Sequence, residues 1–203
     1  PTLATLVGEA SFGALARDLW QQNPPQCGDL GEWGAALPAL IAANTALAPE
    51  PYLPDSARLD WLVHQAARAA DGPNTPAALE GLGAQSPQHL QLALRPGSAL
   101  LASAWPVASL WSAHQQPVGE DRFAGVRAAI AAAVGEQAFV YRSGHAVRVA
   151  ALAPPAAAFT AAVLAGRSLA DALDDAGEDF AFEPWLVQAL QGGWLLGTHA
   201  IPA

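Results

Sequence analysis

The sequence predicts an α+β protein. An all-helical N-terminal domain is expected over 1–84, and a winged-helix-like domain with antiparallel strands over 85–203. Three observations carry this. Apolar residues recur at helical spacing from Leu3 to Ala70. Gly, Pro, Ser and Asn then crowd 72–87, a composition shift that marks a domain boundary. Beyond it, short alternating apolar runs intermingle with helical ones.

Leu3, Leu6, Val7, Phe12, Leu15, Ala16, Leu19 and Trp20 place one or two helices over 2–22, which Asn23-Pro24-Pro25 stops. Asp29 is the expected N-cap of a helix over 30–44 with Trp33, Leu37, Leu40 and Ile41 on one face. Pro38 inside it costs a hydrogen bond or introduces a kink. Pro49, Pro51 and Pro54 mark an extended connector. A helix over 55–71, capped by Asp55, buries Leu59, Leu62, Val63, Ala66 and Ala70 and ends at Asp71-Gly72-Pro73. A short helical turn falls near 76–82.

In the second half, Leu90, Leu92 and Leu94 alternate, Arg95-Pro96-Gly97 turns the chain, and 99–104 continues apolar, which reads as a hairpin. Helices follow over 106–115 and 122–134. Residues 139–152 read as a second, tight hairpin. With Ser143-Gly144 as its turn, Val140 faces Val147 and Arg142 faces His145, while Phe139, Tyr141 and Arg148 share the opposite face. Residues 155–165 are helical up to Gly166, Ser168 caps a helix to about 176, and Glu183–Gln191 forms another. After Gly192-Gly193 the chain returns as a strand, Trp194–Ile201.

Charge narrows the function. Eighteen acidic residues oppose nine basic ones, all Arg, for a net charge of −9. Phosphate neutralisation needs a clustered basic surface, and here the Arg residues are scattered. From Leu152 onward Arg167 alone faces Asp171, Asp174, Asp175, Glu178, Asp179 and Glu183. Nucleic acid is disfavoured as a partner, and a basic surface or basic peptide is favoured. No run approaches 18 continuous apolar residues and no export signal is present, so no membrane partner and a cytoplasmic location are expected. The lone Cys27 fits a reducing compartment and reads as an inert loop thiol. The chain starts at Pro1 and has no Met, which fits removal of an initiator Met or a start inside a longer protein.

No catalytic set emerges, and no cofactor or metal is expected. His64, His89, His114, His145 and His199 lack metal-ligand spacing, and the acidic run 171–179 lacks the alternating ligands of a calcium loop. Ser109 and Ser112 have no His/Asp pairing in view.

Strand, strand, helix, Gly-x-Ser-Leu, helix, helix, Gly, strand is the order of a winged helix-turn-helix. Such scaffolds either read a DNA groove or offer a sheet edge to an extended peptide. The candidate recognition helix 183–191 contains no Arg or Lys, which favours the peptide, with a DNA-binding transcriptional regulator as the alternative. Candidate peptide contacts are Phe139, Tyr141, Arg142, Val147, Arg148 and Val149, together with Trp194 and Leu195. Cross-strand packing alone also accounts for the valines, and core packing for Trp194 and Leu195.

Several stretches resemble one family. They are Gly8-Glu9-Ala10-Ser11-Phe12 with Leu15-Ala16, Pro24-Pro25 with Gly28-Asp29-Leu30, and Pro51-Tyr52-Leu53-Pro54-Asp55 with Ala57-Arg58-Leu59-Asp60-Trp61. Trp105-Pro106-Val107 with Leu110-Trp111, Tyr141-Arg142 and Gly166-x-Ser168-Leu169 follow. Together, over nearly the whole chain, they resemble the HvfC/BufC-type accessory family, long catalogued as a DNA-binding-domain family. The resemblance implies a non-catalytic protein that binds the leader of a ribosomally made, Cys-bearing precursor peptide. It also implies a second partner, the multinuclear non-haem iron oxidative enzyme that modifies that peptide. Arg58 and Asp60, in the family-like segment, are candidates to face this enzyme or to pair locally. Family members carry further helical sequence before the point matching Pro1, which implies a shortened or atypical N-terminal domain.

Overall fold

The structure, a computed structural model, describes residues 2–72, 78–117 and 121–201. It mixes helices with small antiparallel sheets. Spatially the chain divides into two compact units, Pro1–Leu62 with Ala102–Glu136, and Val63–Leu101 with Gln137–Ala203. This division is discontinuous in sequence, unlike the expected consecutive segments 1–84 and 85–203.

The first unit is built from helices. α1 (Thr2–Val7) and α2 (Glu9–Gln22) are separated at Gly8, whose φ of +80° is easily reached only by glycine. The expected helix over 30–44 is instead two pieces. The first is a 3-10 turn, Leu30–Glu32, where Asp29 accepts from the Gly31 N–H at 2.8 Å. The second is α3 (Leu37–Ala43). Pro38 lies in the first turn of α3, where a missing N–H breaks no helical bond, so it starts a helix rather than kinking one.

α4 (Leu53–Arg68) begins two residues before its expected start, so Asp55 sits in the first turn, not at the cap. Its carboxylate accepts from Ser103 Oγ at 2.7 Å. α5 (Val107–Gln115) and α6 (Ala124–Ala131) pack Leu110, Ala113 and Val126 against Leu6 and Tyr52. That shared apolar burial gathers 102–136 with the N-terminal helices despite the distance along the chain. Pro73 and residues 76–77 of the expected turn near 76–82 lie outside the described residues. Within the rest of that stretch the Leu82 N–H bonds the Leu79 carbonyl at 2.9 Å.

In the second unit β1 (Leu90–Leu94) pairs antiparallel with β5 (Leu195–Ala200), from Leu90 opposite Ala200 to Leu94 opposite Leu195. β2 (Ala99–Ser103), β3 (Glu136–Ser143) and β4 (Ala146–Leu152) form a separate sheet in the order β2-β3-β4. The expected hairpin of 90–94 with 99–104 is therefore absent, and its two strands serve different sheets. Arg95 explains the divergence. Its backbone N–H bonds the Trp194 carbonyl at 2.8 Å and its Nε bonds the Gly193 carbonyl at 2.9 Å, which commits β1 to the β5 end of the chain.

α7 (Pro154–Leu164), α8 (Leu169–Ala176) and α9 (Phe182–Gly192) follow the sequence expectation closely. Ser168 caps α8 by accepting from the Asp171 N–H at 3.1 Å. Phe159, fully buried, centres the core, stacked on Phe180 and meeting Trp185 edge-to-face at 4.6 Å between centroids.

Candidate functional site

The β3–β4 hairpin carries most of the candidate residues. Its turn is Gly144-His145, one residue later than expected, so Ser143 pairs with Ala146, Arg142 with Val147, Tyr141 with Arg148 and Val140 with Val149. Gly144 has φ +60° at the first central position, the glycine placement of a type II′ turn. Ser143-Gly144 would have put the glycine second. The slip changes partners but preserves parity, so Phe139, Tyr141 and Arg148 still share one face.

Both faces of β3 are covered. On one, Phe139 stacks on Tyr141 at 5.2 Å and meets Trp194 edge-to-face at 5.0 Å. On the other, Arg142 is buried. Its Nη1 donates to the Ala69 carbonyl at 2.7 Å and its Nη2 pairs with Asp71. Phe139 is 1% exposed, Leu195 3% and Trp194 5%. These three and Arg142 are thus core side chains that hold the hairpin in place, and their side chains have no free surface for an incoming peptide.

β4 is different. It is the last strand of its sheet, and among the described residues it pairs only with β3. The pair closing a two-residue turn, Ser143 with Ala146, exchanges both of its hydrogen bonds, and the pattern then alternates. The backbone groups of Ala146, Arg148, Ala150 and Leu152 therefore turn toward β3. Those of Val147, Val149 and Ala151 turn outward. Among the described residues no turn or loop hydrogen bond takes up these outward groups. Val147 and Val149 are half-buried, whereas Arg148 and Ala151 are exposed. Ala151 was missed in the sequence, although it shares the parity of Val147 and Val149.

Arg58 and Asp60 belong to the other unit. Arg58 is exposed and pairs with Asp55. Asp60 accepts the Leu3 N–H at 2.8 Å. Arg58 thus pairs within its own helix, and Asp60 ties α4 to α1.

Ser109 has a structural role. Ser109 N–H and Oγ both bond the Glu136 carboxylate, a cap on the first turn of α5. Cys27, exposed, lines a cavity of about 420 Å³ with Trp33, Pro24, Pro25 and Glu32, and its thiol contacts the Asp29 carbonyl at 3.5 Å. Among the described residues no three His, Cys, Asp or Glu side chains come together to hold a metal. The outer surface of α9 exposes Val187 and Leu190 and carries no cation, a poor match to phosphates. No helix among the described residues is long and apolar enough to cross a membrane.

What the geometry offers, among the described residues, is the unpaired outer edge of β4 beside a β3 whose two faces are covered. No known family model, curated protein or solved structure matches this chain.

Proposed function

We propose that the chain is a non-catalytic, cytoplasmic accessory protein that binds a precursor peptide as an added strand along β4. In this reading it pairs with a multinuclear non-haem iron enzyme and presents the peptide for oxidative modification of its Cys residues. The observation that carries the proposal is the set of outward backbone groups of Val147, Val149 and Ala151. Main-chain pairing supplies affinity in such strand addition, and an edge already held in a hairpin lowers its ordering cost.

Three further points support it. The resemblance to the HvfC/BufC-type family names this pair of partners. The order β3, β4, α7, α8, α9, β5 fits a winged-helix-like arrangement. The net charge of −9 disfavours the use of that scaffold on DNA. Co-purification with a multinuclear non-haem iron enzyme of this kind and its Cys-bearing precursor peptide tests the proposal. Val149→Pro, which removes one outward N–H at an edge where the fold tolerates its loss, is expected to weaken peptide capture at least tenfold. Capture of neither partner by the intact chain overturns the proposal. So does sequence-specific duplex binding that weakens steeply with salt.

A further inference from the structure

From the chemistry of the same edge we infer the class of peptide it selects: an extended segment with a carboxylate in register with Arg148 and branched apolar residues on either side of it. The inference rests on the strand-addition reading above and adds a specificity-determining residue to it.

The arginines of the second unit are mostly committed. Arg95 bonds the Gly193 carbonyl, Arg142 bonds Ala69 and Asp71, and Arg167 pairs with Asp171 and Asp175. Arg68 also has a partner. Arg148 is exposed, and among the described residues no carboxylate pairs with it. It sits at the middle of the edge strand. Its neighbours on the same face, Ala146 and Ala150, carry nothing beyond Cβ, so β4 itself does not obstruct the guanidinium from reaching an added strand.

A strand laid along β4 places the residue opposite Arg148 on the Arg148 face and the residues before and after it on the Val147/Val149 face. Those two valines, half-buried, present an apolar shelf on which β-branched side chains pack. The resulting pattern is apolar, acidic, apolar with a period of two.

The molecule's net charge of −9 attracts basic chains at long range. That field is screened over about 8 Å at physiological salt. A contact pair at the edge lies inside that distance and decides the register. The selected peptide is therefore basic or neutral overall, with one carboxylate at a fixed position.

The test is selection on the intact chain from a displayed library of heptapeptides Val-X-Val-X-Val-X-Val, with X any residue. Wild type is expected to enrich Glu or Asp at one X position by about fivefold over Lys. Arg148→Glu, an exposed substitution that leaves the fold intact, is expected to reverse that preference to Lys or Arg. An unchanged preference in Arg148→Glu overturns the specificity while leaving strand addition standing, provided Val149→Pro abolishes enrichment. Unchanged enrichment with Val149→Pro places the peptides elsewhere and overturns the strand-addition reading itself. Failure of wild type to enrich any member overturns both.

Discussion

The Arg142 guanidinium donates to the carbonyl of Ala69 at 2.7 Å, one residue beyond the end of α4. A cation thus meets the negative end of a helix dipole while holding β3 to the segment that follows the helix. Arg142 is 6% exposed, so this contact is made almost out of water. Arg142→Met is expected to lower stability by about 2–4 kcal/mol, because the Ala69 carbonyl loses its donor. Asp71→Asn, altering a partner that is 75% exposed, is expected to cost less than about 1 kcal/mol. Urea unfolding followed by tryptophan fluorescence separates the two.

Thr160 links α7 to α9. Its hydroxyl donates to the Ala156 carbonyl at 2.7 Å and accepts from Trp185 Nε1 at 3.0 Å, fully buried. Thr160→Val keeps the shape and leaves the indole N–H unsatisfied. A loss of about 1–3 kcal/mol is expected, against under about 1 kcal/mol for Thr160→Ser, in the same unfolding experiment.

Gly97 has φ +83°, and a Cβ there would lie 2.8 Å from both Ala66 Cα and Ala69 Cβ. The turn after β1 is thus pressed against the end of α4. Gly97→Ala is expected to destabilise by about 2 kcal/mol or more, through the left-handed backbone and the clash together.

The Tyr52 phenol is pushed up to about 12, first by burial and then by a hydrogen bond and charge repulsion from Glu50. Its folded-state value lies above the unfolded one near 10. Between these two values the unfolded chain has lost the proton that the folded chain keeps, so stability falls as pH rises from about 10 to 12. Spectrophotometric titration is expected to show a late phenolate step that Tyr52→Phe removes, and Tyr52→Phe is expected to flatten the alkaline loss of stability.

Helices were largely legible in the sequence, because local signals specify them. Ser168 caps α8, Gly193 at φ +69° ends α9, and Asn23 follows α2 as expected. Strand pairing was not, because it depends on residues far apart in the chain. Leu90, Leu92 and Leu94 looked like half of a local hairpin, yet their partners begin at Leu195. The hairpin turn falls at Gly144-His145, one residue later than the Ser143-Gly144 turn that the sequence suggests. The register, with Ser143 paired to Ala146, distinguishes them.

Within the site, alternation gave the correct faces but not their burial. Phe139 and Arg142 look like surface candidates in a strand with polar and apolar residues on both sides. Contacts from Trp194 and from Ala69 and Asp71 bury them. The exposed members, Arg148 above all, remain the edge's own chemistry.

Native-state amide hydrogen exchange of the isolated chain tests the open edge most directly. The amides of Arg148 and Ala150, turned toward β3, are expected to exchange slowly, and those of Val147, Val149 and Ala151 to exchange faster by at least about tenfold. Equal protection of all five would mean that β4 is already paired on its outer side, and would contradict the account.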